Sequence, residues 1–205
     1  MPEMSRPQQL VCRSAPWRFL AGRVVLPWAL QGAALHGDVL EIGCGSGAMA
    51  AEVLRRYPAV RLVATDYDES MVDAARERLA SFDDRAEVRR ADAADLPFDD
   101  GAFDAALSFI MLHHVIKWEQ ALRELVRVLR PGGQLIGYDL LGDRGGRFMH
   151  GHEGDTRLMR HSELRQVLRD LPTEAAAVKP AFGGLVARFS LAKQGGENPS
   201  TSQGG

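Results

Sequence analysis

The chain has 205 residues, 45% of them apolar and 25% charged, and a formal net charge of −2. That length suits one domain with its own core, and the near-neutral balance gives no bulk attraction to nucleic acid or an anionic membrane. Two cysteines, Cys12 and Cys44, are too few for a disulfide framework or a cysteine-rich metal site.

No apolar run reaches the roughly 18 residues a membrane span needs; the best, Val24 to Leu35, is broken by Pro27, Gln31 and Gly32. The first fifteen residues hold Arg6 and Arg13 but no apolar signal segment, so a cytoplasmic setting is expected. Residues 1–14, with Pro2 and Pro7, read as a flexible start. Trp17, Leu20, Ala21, Val24, Val25 and Trp28 then follow helical spacing and predict a helix kinked or ended near Pro27.

From residue 37 strands and helices alternate. Val39 to Ile42 is a short strand running into a glycine cluster. Met49, Val53, Leu54 and Tyr57 mark a helix stopped by Pro58. Val60 to Ala64 is a second strand, ending at Thr65-Asp66. Asp68 is placed to cap a helix carrying Met71, Val72, Ala75 and Leu79 on one face. Ala86 to Arg90 is a weaker strand ending at Asp92, and Phe103 to Phe109 is a nearly continuous apolar one. Trp118, Ala121, Leu122, Leu125, Val126 and Leu129 give an amphipathic helix closed by Pro131-Gly132-Gly133. Gln134 to Tyr138 is a fifth strand, ending at Asp139.

Buried strands each followed by a helix require crossover connections, hence a parallel sheet with helices on both faces. After residue 160 the rhythm changes. Leu164, Val167, Leu168 and Leu171 predict a helix, and Ala175 to Val178 and Leu185 to Leu191 predict an antiparallel hairpin turning at Gly183-Gly184. Residues 15–193 form one domain on this reading. Residues 194–205, without a large apolar side chain, read as a disordered tail.

Ligands of open parallel sheets bind at the carboxyl ends of the strands. Strand one ends in Glu41-Ile42-Gly43-Cys44-Gly45-Ser46-Gly47, where glycine permits a tight turn and close backbone approach. Strand two ends in Asp66, an acid able to accept from two ribose hydroxyls; strand three ends in Asp92, placed to accept from an exocyclic amine. The constellation reads as an adenosine site. Gly43, Gly45 and Ala48 also fit the relaxed dinucleotide fingerprint, which keeps a nicotinamide-dependent oxidoreductase in view.

Val39 to Gly47 resembles motif I of the class I S-adenosylmethionine-dependent methyltransferases. Asp66, then Ala91-Asp92-Ala93, Leu96-Pro97-Phe98, Phe103-Asp104 and Leu129-Arg130-Pro131-Gly132-Gly133 resemble its later motifs in order. Met111-Leu112-His113-His114-Val115 is similar to the ubiquinone and menaquinone biosynthesis subgroup. The resemblance covers residues 38 to 138 or so. It implies an α/β, Rossmann-like, doubly wound seven-stranded sheet, mostly parallel with an antiparallel last strand. It also implies S-adenosylmethionine as cofactor, S-adenosylhomocysteine as product, and a small-molecule acceptor. By the same resemblance Gly43, Cys44 and Gly45 approach the methionine portion and Glu41 orders the loop. Asp66 binds the ribose, Tyr67 covers the adenine, Asp92 accepts from its amine with Ala93 alongside, and Ser108 and Phe109 border the sulfonium.

His113, His114 and Asp139 are the candidates for a general base, needed only where the acceptor must lose a proton; capping and packing are the competing roles for the histidines. Residues 140–160 hold Gly142, Gly145, Gly146, Gly151 and Gly154 and read as a lid. His150, His152 and Glu153 could bind a metal, but such residues on a polar loop are ordinarily solvated, and no metal is expected. A binding protein without turnover is the other alternative, and Trp17 and Trp28 are either a pocket wall or plain core.

Overall fold

The computed structural model describes residues 21–30, 32–143 and 158–195. The expected flexible start, Trp17 and Leu20, most of the glycine-rich connection with His150, His152 and Glu153, and the tail beyond Gly195 lie outside these residues. Seven strands form one sheet: β1 (Gly37–Ile42), β2 (Val60–Asp66), β3 (Ala86–Arg90), β4 (Phe103–Phe109), β5 (Leu129–Leu140), β6 (Thr173–Ala181) and β7 (Val186–Lys193). Their order is β3-β2-β1-β4-β5-β7-β6. The first five are parallel, and β7 runs antiparallel between β5 and β6. The order reverses between β1 and β4, so the ligand crevice of such a sheet opens there.

Five α-helices accompany the sheet among the described residues: α1 (Leu26–Leu30), α2 (Ala48–Arg56), α3 (Glu69–Leu79), α4 (Trp118–Val128) and α5 (His161–Asp170). Alternate strand residues serve two cores. Val39, Leu62, Leu107 and Ile136 pack with α1, α2 and α3, while Leu40, Ala106, Leu135 and Phe189 pack with α4 and α5. Burial on both faces explains the nearly unbroken apolar runs of β1 and β4. No helix among the described residues is long and apolar enough to cross a membrane.

Pro27 acts as its chemistry dictates. It has no N–H, and its ring collides with the carbonyl four residues back in a regular helix. A π-helical turn over Ala21–Val25 leads into α1, widening the helix at that point. Asp68 caps α3 through a 2.8 Å bond from the Ser70 N–H. Strand β5 starts earlier than the sequence predicts. Leu129 already pairs with Phe103, and the register then shifts before Gln134 meets Ala105. Pro131-Gly132-Gly133 is therefore an irregularity inside the strand rather than a turn ahead of it.

Candidate functional site

The carboxyl ends of β1, β2 and β4 converge on the turn from Gly43 to Gly47. Gly43 and Gly45 both adopt left-handed backbone, with φ of 60° and 53°, where a side chain is strained. Their surroundings differ. A Cβ on Gly43 would lie 2.6 Å from the Cβ of Met111, whereas one on Gly45 would meet nothing within 4 Å. The first glycine lets the segment after β4 press onto the turn; the second leaves the backbone bare toward open space.

Asp66, 9% exposed, holds this turn. Its Oδ2 accepts from the Gly45 N–H at 2.8 Å and its Oδ1 from the Asp68 N–H at 3.0 Å. A carboxylate has about four lone-pair positions, so acceptor capacity remains for a ligand. Glu41 is 2% exposed and its Oε2 has no hydrogen-bond partner. Burial, then the charge of Asp66, push its carboxyl up to about 8. Burial also raises Asp66, against the backbone N–H groups that lower it. The Cys44 thiol is raised by burial and by both acids, so it stays a thiol and not a nucleophile. A buried acid held protonated beside a second acid is primed to ionise when a cation arrives.

The remaining predicted residues divide between the faces of the sheet. Exposed Asp92 takes the Ala94 N–H at 2.9 Å, forming the turn that buries Ala93. Tyr67 is half-buried; the Arg90 guanidinium lies over its ring at 5.2 Å and Arg90 Nε donates to the Tyr67 carbonyl. Ser108 and Phe109, adjacent in sequence, point to opposite faces. The Ser108 hydroxyl is buried without a partner on the α4 side. Phe109 packs on the α1 side, stacked on Tyr138 at 5.6 Å.

His113 and Asp139 do come together: Nδ1 lies 2.6 Å from Oδ1, and both side chains are buried. Asp139 Oδ2 also accepts from the Leu112 N–H, and its Oδ1 from the Leu140 N–H. The His114 ring, half-buried, sits 4.0 Å from that of His113.

Two contributors escaped the sequence, and a third, Met111, stands there only as part of a motif. Glu124 Oε2 accepts from the Leu96 N–H, and Arg127 donates to the carbonyls of Leu96 and Phe98, so α4 pins the segment after Asp92. Nothing at helical spacing distinguishes these two from a solvated i,i+3 pair. Met111 fills the space over Gly43; its apolar character alone reads as core.

Residues 39–133 match the family model described as a methyltransferase domain. This stretch belongs to that family. The methyltransferase domain is similar to a demethylmenaquinone methyltransferase of Clavibacter sepedonicus, 38% identical over 120 residues, which cover 58% of this chain and 45% of that protein. The chain spans about half the length of the curated relatives it matches. Among solved structures, the fold resembles a Haloferax volcanii methyltransferase determined with the Trm112 methyltransferase activator. That match has a TM-score of 0.76 and 17% identity, over 94% of this chain and 96% of that one. It also resembles the cyclase SpnF, at a TM-score of 0.72 and 21% identity, over 90% and 85%. These two likenesses support the mostly parallel α/β sheet and its antiparallel edge.

Proposed function

We propose that this chain transfers a methyl group from S-adenosylmethionine to a small-molecule acceptor. The buried, unpartnered Oε2 of Glu41 carries the reading, because it stands beside Asp66 at a turn whose Gly45 faces open space. That cradle suits a cationic ligand able to lie against backbone. The bound cofactor supplies an already activated methyl on a positively charged sulfur, so the protein chiefly aligns the partners and excludes water.

On this reading the turn from Gly43 to Gly45 receives the methionine portion, and Glu41 ionises to accept from its ammonium. The remaining acceptor capacity of Asp66 serves the ribose hydroxyls. Tyr67 flanks the adenine, and Asp92 accepts from its amine beside Ala93. Phe109, at the end of β4, borders the place where the methyl is passed, with Ser108 behind it in the strand.

Asp139 fixes the His113 ring with the proton on Nδ1, which makes Nε2 the basic atom. Its burial, at 4% exposed, favours an acceptor that needs no deprotonation by the protein. The relative in Clavibacter acts, by its name, on demethylmenaquinone; an aromatic acceptor is the class this reading adopts. Calorimetry on the purified chain tests it: S-adenosylhomocysteine binds and NAD does not. Binding of NAD alone would overturn the assignment.

A further inference from the structure

We infer that the acceptor side of the site is built for a planar molecule carrying a carboxylate, gripped by Arg188 and Lys179 with its ring against Trp28. The inference rests on the methyl-transfer reading above for what the molecule is there to do, but not for its binding. The sheet register lines up four residues from strands far apart in sequence. Phe109 of β4 pairs with Tyr138 of β5, Tyr138 with Arg188 of β7, and Arg188 with Lys179 of β6. Directly paired residues share a face of the sheet. The row thus runs aromatic, aromatic, guanidinium, ammonium, on the α1 side, and its first member borders the place assigned to methyl transfer.

Trp28 lies over the row from α1. Its ring meets Tyr138 edge-on at 5.3 Å and tilts against Phe182 at 5.5 Å; the Arg188 guanidinium sits 4.9 Å above it. Trp28 is half-buried, and Phe182, in the β6–β7 turn, is 67% exposed. Flat apolar surface and positive charge therefore adjoin at the carboxyl edge of β5.

No carboxylate among the described residues pairs with Arg188 or Lys179, although like charges placed opposite one another repel. Arg188 Nη1 donates to the Trp28 carbonyl at 2.8 Å, while its Nε is buried without an acceptor. A carboxylate meets a guanidinium through its N–H groups; with Nη1 on the Trp28 carbonyl and Nε shut away from solvent, Nη2 is the nitrogen left to meet one. A strut fastening α1 to the sheet accounts for the Nη1 bond. It does not account for the orphan Nε–H or for a second cation opposite. A neutral acceptor would leave both cations without a carboxylate among the described residues.

The test uses the full chain saturated with S-adenosylhomocysteine. 2-Naphthoate and its neutral counterpart 2-naphthamide are titrated by calorimetry. The expected result is binding of the carboxylate at least tenfold tighter than the amide. Lys179→Gln, at an exposed position, should erase most of that preference while amide binding stays within about twofold, and Arg188→Gln, which also releases the Trp28 carbonyl, should erase the preference whatever its effect on the amide. Equal affinity for the two probes, no binding of either, or a preference that survives both substitutions overturns the inference. Should Arg188→Gln fail to fold, Lys179→Gln alone decides. S-adenosylhomocysteine binding is recorded in the same cell. Its loss with the naphthoate preference intact rejects the methyl-transfer reading and leaves the anion slot standing; the reverse rejects the slot alone.

Discussion

Gly43 and Gly45 share a left-handed backbone but meet different neighbours, so alanine at each should have separable effects. Alanine at φ near +55° costs about 1–2 kcal/mol. In a domain of this size each kcal/mol lowers Tm by roughly 2–4 °C, so Gly45→Ala should melt about 2–8 °C below the parent. Its new methyl meets no protein atom within 4 Å, and nothing further is lost from the fold. The methyl instead occupies the space in front of the bare backbone, and S-adenosylhomocysteine affinity should fall by about tenfold or more. Gly43→Ala carries the same backbone cost plus overlap with Met111 at 2.6 Å. Overpacking of that kind adds about 1–3 kcal/mol. It should therefore melt lower than Gly45→Ala. Thermal denaturation and calorimetry on both variants decide the matter. A Gly45→Ala protein that binds like the parent, or two variants with identical melting points, would refute the reasoning.

Asp66→Ala should weaken S-adenosylhomocysteine binding about tenfold or more, since charge-assisted bonds contribute about 1.5–3 kcal/mol each before solvent compensation; unchanged affinity by calorimetry removes the ribose role. Glu41, raised to about 8, keeps its proton in the folded state where the unfolded chain has already lost it. Stability of the ligand-free protein should accordingly fall as pH rises from about 4.5 toward 8, with a limiting slope of about 1.4 kcal/mol per pH unit. Glu41→Gln should flatten that fall in urea titrations run across the window, and an unaltered pH profile would contradict the assignment. Asp139→Ala strips an acceptor from the Leu112 and Leu140 N–H groups and from His113. It should cost about 3 kcal/mol or more, read as a lower denaturation midpoint at constant m-value. A surface-like cost under about 0.5 kcal/mol would show that the carboxylate is not holding that turn.

The strands that build the site were legible because burial on both faces forces an apolar run, and because each run stops at a glycine, an acid or both. Asp66 and the Gly43–Gly47 turn could be picked out in this way. Direction across the sheet was not legible. Whether Ser108 or Phe109 faces α1 depends on the register of β4 with β1 and β5, which no single segment encodes. The alignment of Tyr138 with Arg188 and Lys179 depends likewise on hairpin pairing 40 to 50 residues away in the chain. Pro131-Gly132-Gly133 misled for a local reason: its residues are those of a turn, yet flanking pairs with Phe103 and Ala105 carry the strand through. Trp28 reads as wall or core from spacing alone, because its half-buried position is set by Tyr138 and Phe182, which are distant in the chain.

Ile110 is a β-branched residue at φ 54°, a conformation costing about 1–3 kcal/mol, and its N–H is fixed to the Tyr138 carbonyl at 2.8 Å. That forced bend turns the chain so that the next side chain, Met111, lands on Gly43. One rigid link consequently joins the row beside Trp28 to the glycine turn, and an occupant that shifts Tyr138 or Ile110 displaces the floor of the neighbouring chamber. Free-energy linkage makes such a connection symmetric: whatever factor the first ligand gains from the second, the second gains from the first. The affinity of each ligand by calorimetry should therefore depend on the presence of the other, and Met111→Ala, which removes the link, should return the pair to independence.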